Sequence, residues 1–275
     1  MKFSITSITK WVSIVVLILV VIVTLFPVVW MALSSVKSKE EIFRAPPTWA
    51  PETFTSRHYE DLFTRFHFVR LTVNSIIIAV GVTVISVVIG SMAAYGFSRY
   101  SFRGSGMLLI FILLARMITP AALVIPLYTL MRTLGLLDTM ISIIIGITIM
   151  NLPFVIWIMK AFFDSAPKDV EEAAEVDGMS PFRTFWKIVI PMAMPAIATV
   201  VLFSFVTAWV DFLFGISFST TPQSMPLTVG ISNMQTGYEI YWGPMMAAGV
   251  YLTLPTLVLA FLLQKYFIKG LTMGY

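Results

Sequence analysis

The densest cluster of potentially reactive side chains in this sequence is acidic: Glu171, Glu172, Glu175 and Asp177. Carboxylates that converge can hold a divalent cation, but this spacing suits the surface of a short helix better than a cage, and no nucleophile accompanies it. Residue types close off other chemistries. No lysine follows a glycine, so the Gly-Lys-Ser/Thr that ends a phosphate-cradling loop is absent. The two histidines, His58 and His67, stand nine apart, outside any HExxH pattern, and read as polar loop residues. There is no GxSxG element, and the absence of cysteine removes disulfides, thiolate ligands and a thiol nucleophile. Within the long apolar blocks the ionisable residues reduce to Arg116 and Asp211, too few for a proton or ion relay.

These residues have to be positioned by a chain that is 58% hydrophobic and 12% charged, with a mean hydropathy of +0.91. So little polar surface does not cover a water-soluble globule of this size, and the solvent that fits is a bilayer. The net charge of +4 does not indicate nucleic acid, because the basic residues stand singly or in pairs between apolar blocks. Crossing a hydrocarbon core of roughly 30 Å takes about 20 apolar residues as helix. Six blocks qualify, at residues 11–34, 71–97, 107–131, 138–159, 190–214 and 245–266. The first begins behind Lys2 and Lys10, as a signal peptide does, but it has no small-residue cleavage site and reads as a retained span. The third contains Arg116 and Pro120 and reads as two half-helices or one kinked helix. The fold class is therefore all-α, a polytopic membrane protein with six transmembrane helices in a single domain over 1–275.

Orientation follows from the short connections. Arg99, Arg103, Lys160, Lys168, Arg183, Lys187, Lys265 and Lys269 fall on one side and Arg132 on the other, which puts both termini in the cytoplasm. The outer loop at 35–70 carries six basic and five acidic residues, with APPTWAP and the pairs Glu40/Glu41 and Glu60/Asp61, and reads as an ordered surface segment. A second outer loop, 217–243, has no Lys or Arg and is rich in Ser, Thr, Gln, Pro and Gly.

The inner loop at 162–191 parses as two short helices. Ser165 is positioned to cap the first, with Pro167 in its first turn and Gly178 as a left-handed stop. Ser180 caps the second, with Pro181 at its first position; Phe182, Phe185, Trp186 and Val189 then form one apolar stripe. Val170, Ala173 and Ala174 give the first helix a small-residue face rimmed by carboxylates, slim enough to enter a groove on another protein.

Glu172-Ala173-Ala174, Asp177-Gly178, Ile188 and Pro191 match in register the EAA motif of bacterial ABC importer permeases. Asn74-Ser75-Ile76, Ala93-Ala94-Tyr95-Gly96-Phe97, Ala208-Trp209 with Asp211-Phe212, and Lys269-Gly270-Leu271-Thr272 resemble the carbohydrate branch of that family, the six-span maltose-permease-like subunit. Val210 departs from the pattern, standing where such permeases often carry Asn, and the tail ends at Tyr275, a little earlier than is common. The resemblance covers nearly the whole chain and implies a type I ABC importer permease fold in a bacterial or archaeal cytoplasmic membrane. It implies that residues 168–191 couple to a cytoplasmic ABC ATPase dimer, which binds ATP and Mg while this chain binds no cofactor. It further implies a second homologous permease, an extracytoplasmic solute-binding protein that docks on 35–70 and 217–243, and a carbohydrate-like solute.

Asn74, Arg116, Asn151 and Asp211 are polar enough to line a solute pathway, although membrane bundles also use such residues as interhelical glue, and Arg116 could pair with Asp211. Gly81, Gly90, Ala94 and Gly96 read as close-packing positions, Gly90 and Ala94 being a small-xxx-small pair. Two rival readings stay open. One is an intramembrane lipid-modifying enzyme using the acidic loop; the other is a proton-coupled carrier, weakened by the scarcity of membrane carboxylates.

Overall fold

The computed structural model describes residues 5–236 and 238–272, about three quarters of them helical; one isolated bridge joins Gln235 and Ile240. Lys2 and the tail end at Tyr275 lie outside the described residues, as do the side chains of Lys265 and Lys269. The chain folds as two compact units, residues 1–67 with 233–254 and residues 68–232 with 255–275.

In the first unit, α1 (Ile5–Ser34) is apolar on every side, and none of its most apolar window is buried. Such a helix belongs in hydrocarbon or against another apolar helix. The segment behind it is ordered by side chain to backbone bonds. Around α2 (Lys39–Ile42), Ser38 Oγ accepts the Glu41 N–H, and Glu41 Oε1 accepts Thr48 Oγ1 at 2.6 Å and the Glu52 N–H at 3.0 Å. Lys37 lies over the Trp30 ring and donates to the Thr48 carbonyl. From α3 (Arg57–Arg65), buried His58 bonds the Lys37 carbonyl at 2.8 Å, in space left open by Gly243, where an added Cβ would lie 2.2 Å from the ring. His58 is thus a structural residue. Lys39 and Glu239 pair at 2.7 Å; their hydrogen bond raises the lysine above its ordinary pKa and lowers the glutamate. Thr236 and Glu239 close a tight turn, with Tyr238 fully exposed near its tip.

The second unit runs through α4 (Phe68–Arg99), α5 (Ser105–Ala115), α6 (Pro120–Thr133) and α7 (Met140–Ser165). It continues with α8 (Asp169–Val176), α9 (Pro181–Thr184), a π-helical turn (Phe185–Val189), α10 (Ile190–Met192), α11 (Met194–Trp209), α12 (Leu213–Phe218) and α13 (Leu227–Ser232). Its core is the packing of α4, α7 and α11, where Ala94, Val155, Met159, Phe163, Val189, Ala193 and Val200 are buried together. The small-residue reading holds at Gly90, where an added Cβ would lie 2.6 Å from Val155 Cγ1, and at buried Ala94. It fails at Gly96, which has nothing within 4 Å of that position. The last helix, α14 (Trp242–Thr272), begins in the first unit and ends in the second.

Among the described residues four helices are long and apolar enough to cross a membrane: Lys10–Ser34, Phe68–Arg99, Met140–Ser165 and Trp242–Gln264. They carry the blocks expected at 11–34, 71–97, 138–159 and 245–266. The other two are bent pairs, so counting each pair as one span gives six. Ser105–Ala115 and Pro120–Thr133 meet at 99°, and Pro181–Met192 meets Met194–Trp209 at 81°. The first bend has its cause in Pro120, whose ring forces Thr119 into an extended conformation (ψ 138°) and so ends the helix before it. The fifth span is shorter than the 190–214 expected. Its straight part is the 16 residues of α11, about 24 Å at 1.5 Å per residue. Asp211 explains why: its Oδ1 accepts the N–H groups of Phe214 and Gly215 at 3.1 Å and starts a new helix.

Candidate functional site

The inner loop begins where α7 ends. Ser165 does not cap α8; it is the last residue of α7, and its Oγ donates to the Phe162 carbonyl. The correction comes from Pro167. The residue before a proline is pushed out of the helical region, so Ala166 is extended (ψ 136°) and α8 starts later, behind Lys168. Asp169, Glu171 and Glu172 lie in the first turn of α8, where the helix dipole favours negative charge. Its end is as expected. Gly178 has φ +80°, and the Met179 N–H reaches back to the Ala174 carbonyl at 3.0 Å, a Schellman closure.

Ser180 caps α9 by accepting the Arg183 N–H, with Pro181 at the first position. The apolar stripe then fails to form one face. Phe185 and Val189 are buried, whereas Phe182 is 67% exposed and Trp186 37%. The chain widens here into a π-helical turn in which the Ile190 N–H bonds the Phe185 carbonyl five residues back. Pro191 has no N–H to offer the Lys187 carbonyl, so the α-helical ladder is interrupted at that point, and the extra residue rotates the stripe apart.

The seven motif positions divide by exposure. Glu172, Ala173, Asp177, Gly178 and Pro191 face outward, Ile188 is half-buried, and Ala174 is buried. Glu171, beside the motif, turns inward instead. Its Oε1 accepts Arg99 Nε and Nη2 at 2.9 and 2.7 Å, and its Oε2 accepts the Tyr95 hydroxyl at 2.7 Å. The acidic cluster therefore does not converge, and among the described residues no group of three or more His, Asp or Glu forms a metal-binding arrangement.

The four polar residues of the spans have separate partners. Buried Asn74 donates to the carbonyls of Pro222 and Met225 at 3.1 and 2.9 Å, and Ser75 Oγ accepts the Leu227 N–H at 2.7 Å. This pair at the start of α4 fixes the stretch 217–232, which the sequence presents as an outer loop but which holds α13 and packs it against α4; Ser219, Ser224 and Leu227 are buried. Buried Asn151 donates to Ser204 Oγ at 2.6 Å across α7 and α11, while its Oδ1 and the nearby Thr148 hydroxyl have no partner among the described residues. Asp211 is the helix-starting group already described. The pair of Arg116 with Asp211 does not form. The Arg116 guanidinium lies over the rings of Phe154 and Phe203, 4.9 and 5.5 Å from their centroids, and reaches the Met150 carbonyl at 3.4 Å. Sequence reasoning named Glu171 as a loop carboxylate, Arg99 as an orientation signal and Tyr95 within a family stretch, and missed that the three meet, although Tyr95 and Arg99 stand one turn apart on a helix face. It also missed Asp138, which accepts Thr220 N–H, Thr221 N–H and Oγ1, and Ser224 Oγ.

Comparison with known proteins gives a consistent answer. The chain is 33% identical over 258 residues to the inner membrane ABC transporter permease protein YcjP of Escherichia coli K12, covering 93% of this chain and 92% of that one. It is 35% identical over 258 residues to the trehalose/maltose transport system permease protein MalG of Thermococcus litoralis, covering 94% and 93%. In fold it resembles a chain of a bacterial ABC transporter involved in the import of the acidic polysaccharide alginate, with a TM-score of 0.82, 23% identity, and 97% and 99% of the two chains covered. Residues 86–273 match the model for the inner membrane component of binding-protein-dependent transport systems. With two thirds of its length under that model and near-full-length relatives above 30% identity, the chain belongs to this family of inner membrane transport components.

Proposed function

We propose that this chain is one of two permease subunits of an ABC importer that carries a carbohydrate or related polyol across the cytoplasmic membrane. A cytoplasmic ATPase dimer supplies the energy and holds ATP and Mg, a second homologous permease completes the pathway, and an extracytoplasmic solute-binding protein delivers the solute. Both termini lie in the cytoplasm. The observation that carries this reading is α8: a short acidic helix, closed by Gly178, that holds Glu172, Ala173 and Asp177 outward at the inner end of the bundle. ATP-driven closure of the ATPases moves this helix, and the spans rock against the second permease to alternate access. The rival reading, an enzyme that uses the acidic loop, would need those carboxylates to converge, whereas Glu171 turns in to Arg99 and Glu172 faces outward.

The absence of native cysteine allows a direct test. Single cysteines at Ala173 and Tyr238 should react oppositely with an impermeant maleimide, Tyr238→Cys in intact cells and Ala173→Cys only after permeabilisation. In the same cells, deleting the chain should abolish uptake of at least one of labelled trehalose, maltose, glycerol 3-phosphate or a short oligosaccharide. Labelling of Ala173→Cys from outside, or uptake of every solute unchanged, would contradict the reading.

A further inference from the structure

The two adjacent glutamates at the start of α8 face opposite ways, and only Glu172 belongs to the outward surface. Glu171 and Arg99 are 12% and 8% exposed at their side chains. A carboxylate and a guanidinium taken this far out of water are costly to keep unless geometry and further hydrogen bonds satisfy them. Here they do. Both Glu171 oxygens are engaged from α4, one by the Arg99 fork and the other by Tyr95, a turn earlier on the same helix. The remaining Arg99 donors close the end of α7: Nη1 donates to the Phe163 carbonyl at 2.7 Å and Nη2 to the Ala166 carbonyl at 3.4 Å. Both carbonyls lie at the C-terminal end of α7, where a cation is favoured, the Phe163 carbonyl also accepting the Ala166 N–H at 3.3 Å. Tyr95 also packs on Phe163 of α7 and on Phe185 of the π-helical turn, with centroids 5.7 and 4.9 Å away. One arginine and one tyrosine therefore tie α4, the end of α7, α8 and the π-helical turn into a single body.

We infer that Glu171, Arg99 and Tyr95 are positioning residues that make α8 rigid with the core spans, so that displacement of the α8 outer face is transmitted to α4 and α7 rather than absorbed in the loop. This rests on the coupling role proposed above for α8. It assigns a division of labour within that role: Glu172 and its neighbours meet the ATPase, while Glu171 meets only its own chain. Arg99 cannot be replaced by another cation on these grounds, because a lysine ammonium cannot span Glu171 Oε1 and two carbonyls at once.

The test uses the importer purified from its native membranes with its own ATPase and second permease, comparing Glu171→Gln, Arg99→Lys, Tyr95→Phe, the charge-altered singles Arg99→Glu and Glu171→Arg, and the exchange Arg99→Glu/Glu171→Arg. Glu171→Gln and Arg99→Lys should still co-purify the ATPase, while solute uptake per ATP hydrolysed falls roughly tenfold, within the range seen when a coupling element is loosened. Tyr95→Phe should lie between them and wild type. The exchange should recover part of the ratio over either charge-altered single variant, and this readout stands even where the singles accumulate poorly. An unchanged ratio in Glu171→Gln, loss of the ATPase from that variant, or an exchange no better than Glu171→Arg alone would each overturn the assignment. A wild-type chain that retains no ATPase would instead overturn the coupling role on which it rests.

Discussion

Asp138 shows how one carboxylate organises a segment that has no regular hydrogen bonding of its own. It sits in the left-handed region (φ +59°), and its two oxygens take four donors from Thr220, Thr221 and Ser224. Asp138→Ala should destabilise the chain by roughly 2–4 kcal/mol, because the removed acceptor leaves several part-buried donors unpaired. Asp138→Asn, which tolerates the same backbone and keeps one acceptor, should cost about half as much. Thermal melting of the detergent-solubilised protein checks both; equal stability of the alanine variant and wild type would show that water replaces the carboxylate. At this scale the sequence was only partly legible. Asn74, Asn151, Arg116 and Asp211 stood out because polar groups in apolar blocks must be satisfied, but which partner satisfies each depends on neighbours distant in sequence. Asn74 and Asp211 are engaged by backbone groups and Asn151 by Ser204, whereas Arg116 rests on two aromatic rings without an acidic partner among the described residues.

Elements were more legible where a local rule decides them and less so where packing does. Gly178, Ser180 and Pro181 act within a few residues of themselves and were read correctly. Ser165 and the stripe at 182–189 were not, because Pro167 acts backward on Ala166 and Pro191 opens a π-helical turn that shifts the register. Helix packing was visible only as small residues at a spacing of four. At Gly90 it can be tested directly. Gly90→Ala would bring its Cβ within 2.6 Å of Val155 Cγ1 and should cost roughly 1–3 kcal/mol by forcing α4 and α7 apart. Val155→Ala removes the clashing methyl and should recover part of that loss in the double variant. Additive losses in a double-mutant cycle would mean that the two helices have room to spare.

At the scale of the whole molecule only 12% of the residues are charged, and these lie mainly at the ends of spans, in the outer loop at 35–70 and in the inner loop around α8. The most apolar window of α1 is unburied, so an apolar partner or lipid covers it, while α4, α7 and α11 supply the packed core of the second unit. The central claim is that α8 is where an ATPase takes hold, and Gly178 offers the sharpest test of it. Nothing lies within 4 Å of an added Cβ there, and aspartate is among the residues that enter its left-handed conformation, so Gly178→Asp should leave the chain folded while placing a charged side chain on the outer surface. The measurement is recovery of partners with the tagged chain from gently solubilised native membranes. The account predicts that wild type brings down a P-loop ATPase and a second permease, and that Gly178→Asp keeps the permease and loses the ATPase. Recovery of the chain alone in both cases, or of the ATPase equally in both, would contradict it.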